Sequence, residues 1–128
     1  MFYVTDTHAF LWYLSQDSKL SKNAKAIFDL AEKGENTIIV PTIVLAESLH
    51  ILEKERSSIK FQELVRLMEI GSNYTILPLD LTVIKKAEEL KLPELHDRIV
   101  AASAAVLNVP LITKDKAIIR SGYVKTIW

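Results

Sequence analysis

Five short runs that favour extended chain, Phe2–Thr5, Thr37–Val40, Tyr74–Leu77, Pro110–Thr113 and Val124–Ile127, are separated by longer segments whose apolar residues recur at three and four positions. Strands that alternate with helices are joined by right-handed crossovers, which build a parallel sheet covered on both faces. The expected fold class is therefore α/β, with five parallel strands flanked by helices. Ser21 is placed to cap a helix through Ala24, Ile27, Phe28, Leu30 and Ala31, which Gly34 ends. Pro41 closes the second run and suits the first turn of a helix carrying Val44, Leu45, Glu47, Leu49, Ile51 and Leu52. Phe61, Leu64, Val65, Leu67 and Met68 predict a further helix up to Gly71, so that Val44 to Gly71 reads as a helical hairpin. Thr82 is expected to cap a helix with Val83, Ile84, Ala87 and Leu90, which Pro93 breaks. From Asp97 to Leu107 the chain is alanine-rich and apolar nearly all round, the pattern of a helix buried close to a sheet, with Asp97 opening it.

A chain of 128 residues suits one domain, 1–128, large enough to bury a core without disulfides. It has no cysteine, which excludes thiolate metal sites and a cysteine nucleophile. The start, Met1-Phe2-Tyr3-Val4, lacks the basic and apolar regions of a signal peptide. No segment approaches the ~18 apolar residues of a membrane span. A soluble, cytoplasmic protein with no membrane association is expected. Sixteen basic and sixteen acidic side chains cancel, so attraction to nucleic acid must be local. Lys85, Lys86 and Lys91 in one segment, and Lys114, Lys116 and Arg120 in another, offer a basic rim or an ordinary solvated surface.

Four acids, Asp6, Glu47, Asp97 and Asp115, fall where a strand has just ended or a helix has just begun. In a parallel sheet such positions gather at the edge where ligands bind. Each has a plainer explanation. Asp6 reads as a cap for the Ala9–Leu14 segment, Asp97 as a charge complementing a helix dipole, and Asp115 as the start of a turn. Glu47 shares a helical strip with Ile43 and Ile51, His50 being the one polar companion, and there an ionised carboxylate needs a cation or an ion-pair partner. One shared cause explains all four better than four coincidences. Clustered carboxylates raise one another's pKa unless a cation neutralises them, and hard oxygen ligands favour Mg2+ or Mn2+. That chemistry is phosphodiester hydrolysis by metal-activated water, with no side-chain nucleophile. Thr113 is placed to hydrogen-bond a ligand carboxylate or a phosphate oxygen. His8, His50 and His96 do not have a zinc spacing.

The chain resembles the PIN-domain family, in particular the VapC-like ribonuclease toxins of toxin–antitoxin modules. The resemblance is carried over the whole length by Val4-Thr5-Asp6-Thr7-His8, Val44-Leu45-Ala46-Glu47, His96-Asp97-Arg98-Ile99-Val100-Ala101-Ala102 and Thr113-Lys114-Asp115. It implies a three-layer domain with strand order 3-2-1-4-5, and a magnesium-binding active site of Asp6, Glu47, Asp97 and Asp115. It also implies endoribonuclease activity on an RNA substrate, homodimerisation, and restraint by a cognate antitoxin protein lying across a groove lined by the Val44–Gly71 hairpin. The chain departs from the family pattern in lacking an aromatic residue soon after Asp115. Glu94 is the nearest match to an additional acid that some relatives carry near Asp97. Phe10, Trp12 and Tyr13 read equally well as core residues or as a set of which at least one meets a partner.

Other readings need residues in other places. A haloacid-dehalogenase-type phosphatase needs a second acid two residues after Asp6, where this chain has His8. A receiver domain needs paired acids after the first strand, which are absent, although Asp80 follows the third. A catalytically idle PIN fold that binds RNA or protein is the alternative in another class.

Overall fold

The computed structural model describes residues 1–128. Its order is β1 (Phe2–Thr5), α1 (Thr7–Leu14), α2 (Lys22–Glu32), β2 (Thr37–Pro41), α3 (Thr42–Lys54), α4 (Phe61–Ile70), β3 (Tyr74–Leu77), α5 (Leu81–Glu89), α6 (Leu95–Leu107), β4 (Leu111–Ile112), α7 (Lys116–Ser121) and β5 (Thr126–Ile127). All strand pairs are parallel and the sheet order is β3-β2-β1-β4-β5, as the resemblance implied.

β1 lies at the centre, with Val4 opposite both Ile39 of β2 and Leu111 of β4. The chain winds outward from β1 through β2 to β3, and then crosses back to place β4 on the other side. The strand order thus reverses between β1 and β4, and the crevice beyond their carboxyl ends is the position at which such sheets bind ligands. Asp6 directly follows β1, and its amide donates to the Ile112 carbonyl (3.2 Å) on β4.

The core collects buried residues from both faces of the sheet, Val4, Ile38, Val40, Leu111 and Ile112, with Phe10, Phe28, Val44, Leu64 and Ile118 from the helices. α6 contributes an unbroken buried stretch from Ile99 to Ala104. Its alanines permit close approach to β1 and α5, whereas leucines there would overfill the interior. No helix is long and apolar enough to cross a membrane.

Several expectations are corrected. Asp80 rather than Thr82 caps α5, accepting from the Val83 amide (3.1 Å), while Thr82 lies exposed in the first turn. α6 begins two residues earlier than expected, and Glu94 rather than Asp97 caps it. Pro41 is the last residue of β2 and the N-cap of α3, rather than its first helical residue. Strands four and five keep only two residues each, and α7 has no counterpart among the expected elements. Its six residues carry one buried side chain, Ile118, too few to show a helical period in sequence. Leu30, Leu49 and Ile84, expected on apolar stripes, are exposed.

Candidate active site

Each acid reaches the crevice by its own local route. Asp6 N-caps α1, its Oδ1 accepting from the Ala9 amide (2.9 Å). Asp115 N-caps α7, accepting from the Ile118 amide (2.9 Å). Glu94 N-caps α6, accepting from the Asp97 amide (2.8 Å), so Asp97 stands on the first helical turn with its carboxylate released from capping. The partial positive ends of α1 and α6 offset some of the repulsion that gathered carboxylates generate. Glu47 arrives differently, from the middle of α3. It accepts a short hydrogen bond from the hydroxyl of Thr7, a buried residue on the first turn of α1.

One open pocket of about 650 Å³ is lined by Asp6, Glu47, Asp97 and Asp115, and also by Glu94, Thr7, His8, Trp12, Lys114 and Lys116. The four acids singled out from sequence are therefore brought together, and Glu94 joins them. Thr113 is fully buried beneath this edge, its Oγ1 accepting from the Asp115 amide (3.0 Å) and fixing the turn that presents that acid. Of the two lysine groups, Lys114 and Lys116 line the pocket. Lys86 pairs instead with Glu89 (3.1 Å), and Lys91 donates to the Glu88 carbonyl (3.0 Å). Neither these two nor Lys85 lines the pocket, and Arg120 is also outside it. From the hairpin only Glu47 contributes. Phe10 is core, while Trp12 and Tyr13 are half-buried.

The electrostatics follow from this crowding. Burial lifts the Asp6 carboxyl above the usual range, against hydrogen bonding from Thr113 and the Ala9 amide. Burial also raises Asp97, joined by the charges of Asp115, Glu94, Glu47 and Asp6, and together they push it up to about 6. At Glu94 burial acts upward but is outweighed by hydrogen bonds from His96 and the Asp97 amide, which leave it low. His96 is raised, chiefly by its 2.7 Å hydrogen bond with Glu94.

All the acid donors are hard oxygens whose charged forms are disfavoured at Asp6 and Asp97, and a divalent cation is the species that relieves such a cluster. The donor set fits such an ion by its chemistry. The acids are spread around the pocket, however, and no three of them are gathered tightly enough to hold an ion.

A stability test follows for Asp97. Its folded-state pKa lies above its unfolded value, so the native state holds the extra proton between pH 3.8 and about 6, and stability falls as pH rises through that window. The shift corresponds to ~3 kcal/mol at 1.36 kcal/mol per unit, reduced to about 1 kcal/mol by solvent screening at this half-buried site. In EDTA, Asp97→Asn is expected to be more stable than wild type by about 1 kcal/mol at pH 7 and equal to it below pH 3.8. Urea unfolding across that range measures the difference, and a pH-independent difference would refute the assignment.

The Thr7–Glu47 hydrogen bond and the places of His8 and Trp12 in the pocket lining are not foretold by the sequence. A threonine next to Asp6 carries no signal for a partner forty positions away. The two rings stand at helical spacing behind Asp6, which was legible, although helical spacing alone cannot show which side of α1 faces the crevice.

A family model described as PIN domain matches residues 3–122. The chain belongs to the PIN-domain family. No curated protein matches it. Solved structures similar to this PIN domain include VapBC2 from Rickettsia felis bound to a DNA fragment from their promoter, with a TM-score of 0.73 and 23% identity over 100% of this chain and 99% of that one. FitAcB from Neisseria gonorrhoeae has a TM-score of 0.72 and 17% identity over 98% and 96% of the two chains. Mycobacterium tuberculosis VapC20, described as a sarcin-ricin loop cleaving toxin, has a TM-score of 0.69 and 13% identity over 96% and 97%. At these identities the likeness establishes a shared fold.

Proposed function

We propose that this PIN domain is a divalent-metal-dependent endoribonuclease and the toxin of a toxin–antitoxin pair. The observation that carries this reading is the convergence of Asp6, Glu47, Asp97 and Asp115 on one pocket at the point where the strand order reverses. The similar folds of VapBC2, FitAcB and the sarcin-ricin loop cleaving VapC20 support it.

Asp6, Asp97 and Asp115 would hold the metal once their side chains draw together around it, with Glu47 as a further ligand or a water-positioning base. When bound, Mg2+ or Mn2+ supplies charge neutralisation at the phosphate and a bound water of lowered pKa. The remaining work falls to the chain. The Thr7 hydroxyl holds Glu47 in one orientation, so a water beside it meets a fixed acceptor. Thr113 anchors the turn of Asp115, and Lys114 and Lys116 offer positive charge to the phosphates flanking the cleaved bond. Without a cation Asp97 keeps its proton up to about pH 6, so protons and metal compete for this carboxylate in acid. The partners of this reading are an RNA substrate, a cognate antitoxin and a second copy of the chain, in the cytoplasm.

Cleavage of total cellular RNA by purified, antitoxin-free protein is the test. Discrete fragments are expected with Mg2+ or Mn2+ and none with EDTA. One observation favours a second reading, a PIN fold that binds RNA or protein without cleaving it: no three acids are gathered closely enough to hold an ion. Folded protein that binds RNA but leaves it intact with either metal would select that reading.

A further inference from the structure

A second groove of about 400 Å³ lies beside the acidic pocket, between α1 and the residues around the α3–α4 turn, including Ile51, Glu55 and Ile59. Three residues line both cavities, His8, Trp12 and Lys114. They form the saddle that a chain must cross to run from the acids into the groove. On it the exposed His8 ring tilts against half-buried Trp12, with centroids 5.5 Å apart at 48°. The Trp12 ring has Lys114 Nζ at 5.1 Å and Lys19 Nζ at 5.7 Å, and meets Trp128 edge-on at 6.0 Å.

Neighbours therefore hold Trp12 around its ring, while the His8 ring backed by it reaches solvent. An aromatic ring with cations beside it is the arrangement that binds single-stranded nucleic acid, bases stacking on the ring and phosphates following the positive charge. The chain has no net charge and the pocket itself is acidic, so affinity for a polyanion must come from such a local patch.

We infer that His8, supported by Trp12, is the stacking platform for an unpaired nucleobase next to the cleaved phosphate, and that Lys114 guides the strand into the second groove, Lys19 being paired with Asp17 there (3.7 Å). This rests on the nuclease reading above and assigns it a single-stranded substrate segment. His8 is a positioning residue here. Its ring supplies a surface rather than a proton, which distinguishes it from a general base.

Binding without turnover tests this directly. The probe is a fluorescein-labelled 2′-O-methyl RNA hexamer, which has no free 2′-hydroxyl, titrated by anisotropy in EDTA against an Asp6→Asn parent protein so that no cleavage occurs. Adding His8→Ala to that parent is expected to weaken binding about 5- to 150-fold, the range of ~1–3 kcal/mol for one stacked base. Adding His8→Phe instead should restore affinity to within about threefold, because phenylalanine keeps the stacking face. An abasic position in the hexamer should erase the difference between the parent and its His8→Ala derivative at one site along the oligomer. Equal binding by the parent and the His8→Ala derivative, or a His8→Phe derivative as weak as His8→Ala, overturns the platform, as does failure of the parent to bind at all. Metal-dependent RNA cleavage by wild-type protein alongside any of those results leaves the nuclease reading standing and removes only the platform. Absence of both cleavage and binding removes both.

Discussion

Asp6→Asn protein is expected to unfold at the same denaturant concentration as wild type, or slightly higher, while losing RNA cleavage by ~10²–10³-fold or more, the scale of removing one group that stabilises a transition state. The two halves of this result have separate causes. Asparagine caps a helix about as well as aspartate, so the hydrogen bond from the Ala9 amide that starts α1 survives the change. Burial already disfavours the charge on Asp6, and Asp115 adds to that, so its removal relieves the fold. A neutral amide, however, is a poor substitute for a carboxylate in a hard-oxygen donor set. Denaturant unfolding and a cleavage time course on one preparation measure both halves. Wild-type cleavage by the variant would exclude Asp6 from the chemistry, and a large loss of stability would mean that its charge is paired within the fold.

Phe28→Ala should cost ~3–5 kcal/mol, the range for truncating a fully buried aromatic ring. That is a large part of the ~5–15 kcal/mol available to a domain of this size. Phe28 is completely buried, and Tyr13 of α1 stacks on it with ring centroids 4.6 Å apart at 14°. Tyr13 also donates to Asp29 Oδ1 (3.0 Å), so α1 is fastened to α2 through both its ring and its hydroxyl. Burial, together with Glu32 and Asp29, drives the Tyr13 pKa far upward, and the hydroxyl stays a donor at any physiological pH. Because α1 carries Thr7, His8 and Trp12, and Asp6 caps it, the same substitution should loosen the acidic pocket. Equilibrium urea unfolding is expected to show the loss. A change below about 1 kcal/mol would mean that the α1–α2 contact closes over the gap.

The outline of the fold was legible because its signals are local. A β-type run of four or five residues, a serine before a helical stripe and a glycine after it depend only on neighbours in sequence, and β1, α2, β2, α4 and β3 followed those signals closely. Where local signals compete, the assignments slipped by a few residues. Asp80 and Thr82 both suit a cap, whereas at α6 a glutamate, Glu94, takes the cap that aspartate normally favours, and in each case the capping residue is the one whose backbone is extended when the helix starts. That choice leaves Asp97 with no capping bond, whereas Asp6 and Asp115 each engage one carboxylate oxygen with a backbone amide.

From the sequence alone came the α/β alternation, the strand runs and the four acids, of which Asp6, Asp97 and Asp115 do stand at strand ends or helix starts while Glu47 lies within α3, because periodicity and punctuation are written along the chain. Tertiary structure alone decided that Thr7 holds Glu47, that Lys114 and Lys116 rather than Lys85 or Lys91 line the acidic pocket, and that His8, Trp12 and Lys114 share one saddle. Those relations join residues far apart in sequence. They depend on parallel register and on the side of the sheet to which each crossover returns, and both are set by how the whole core packs.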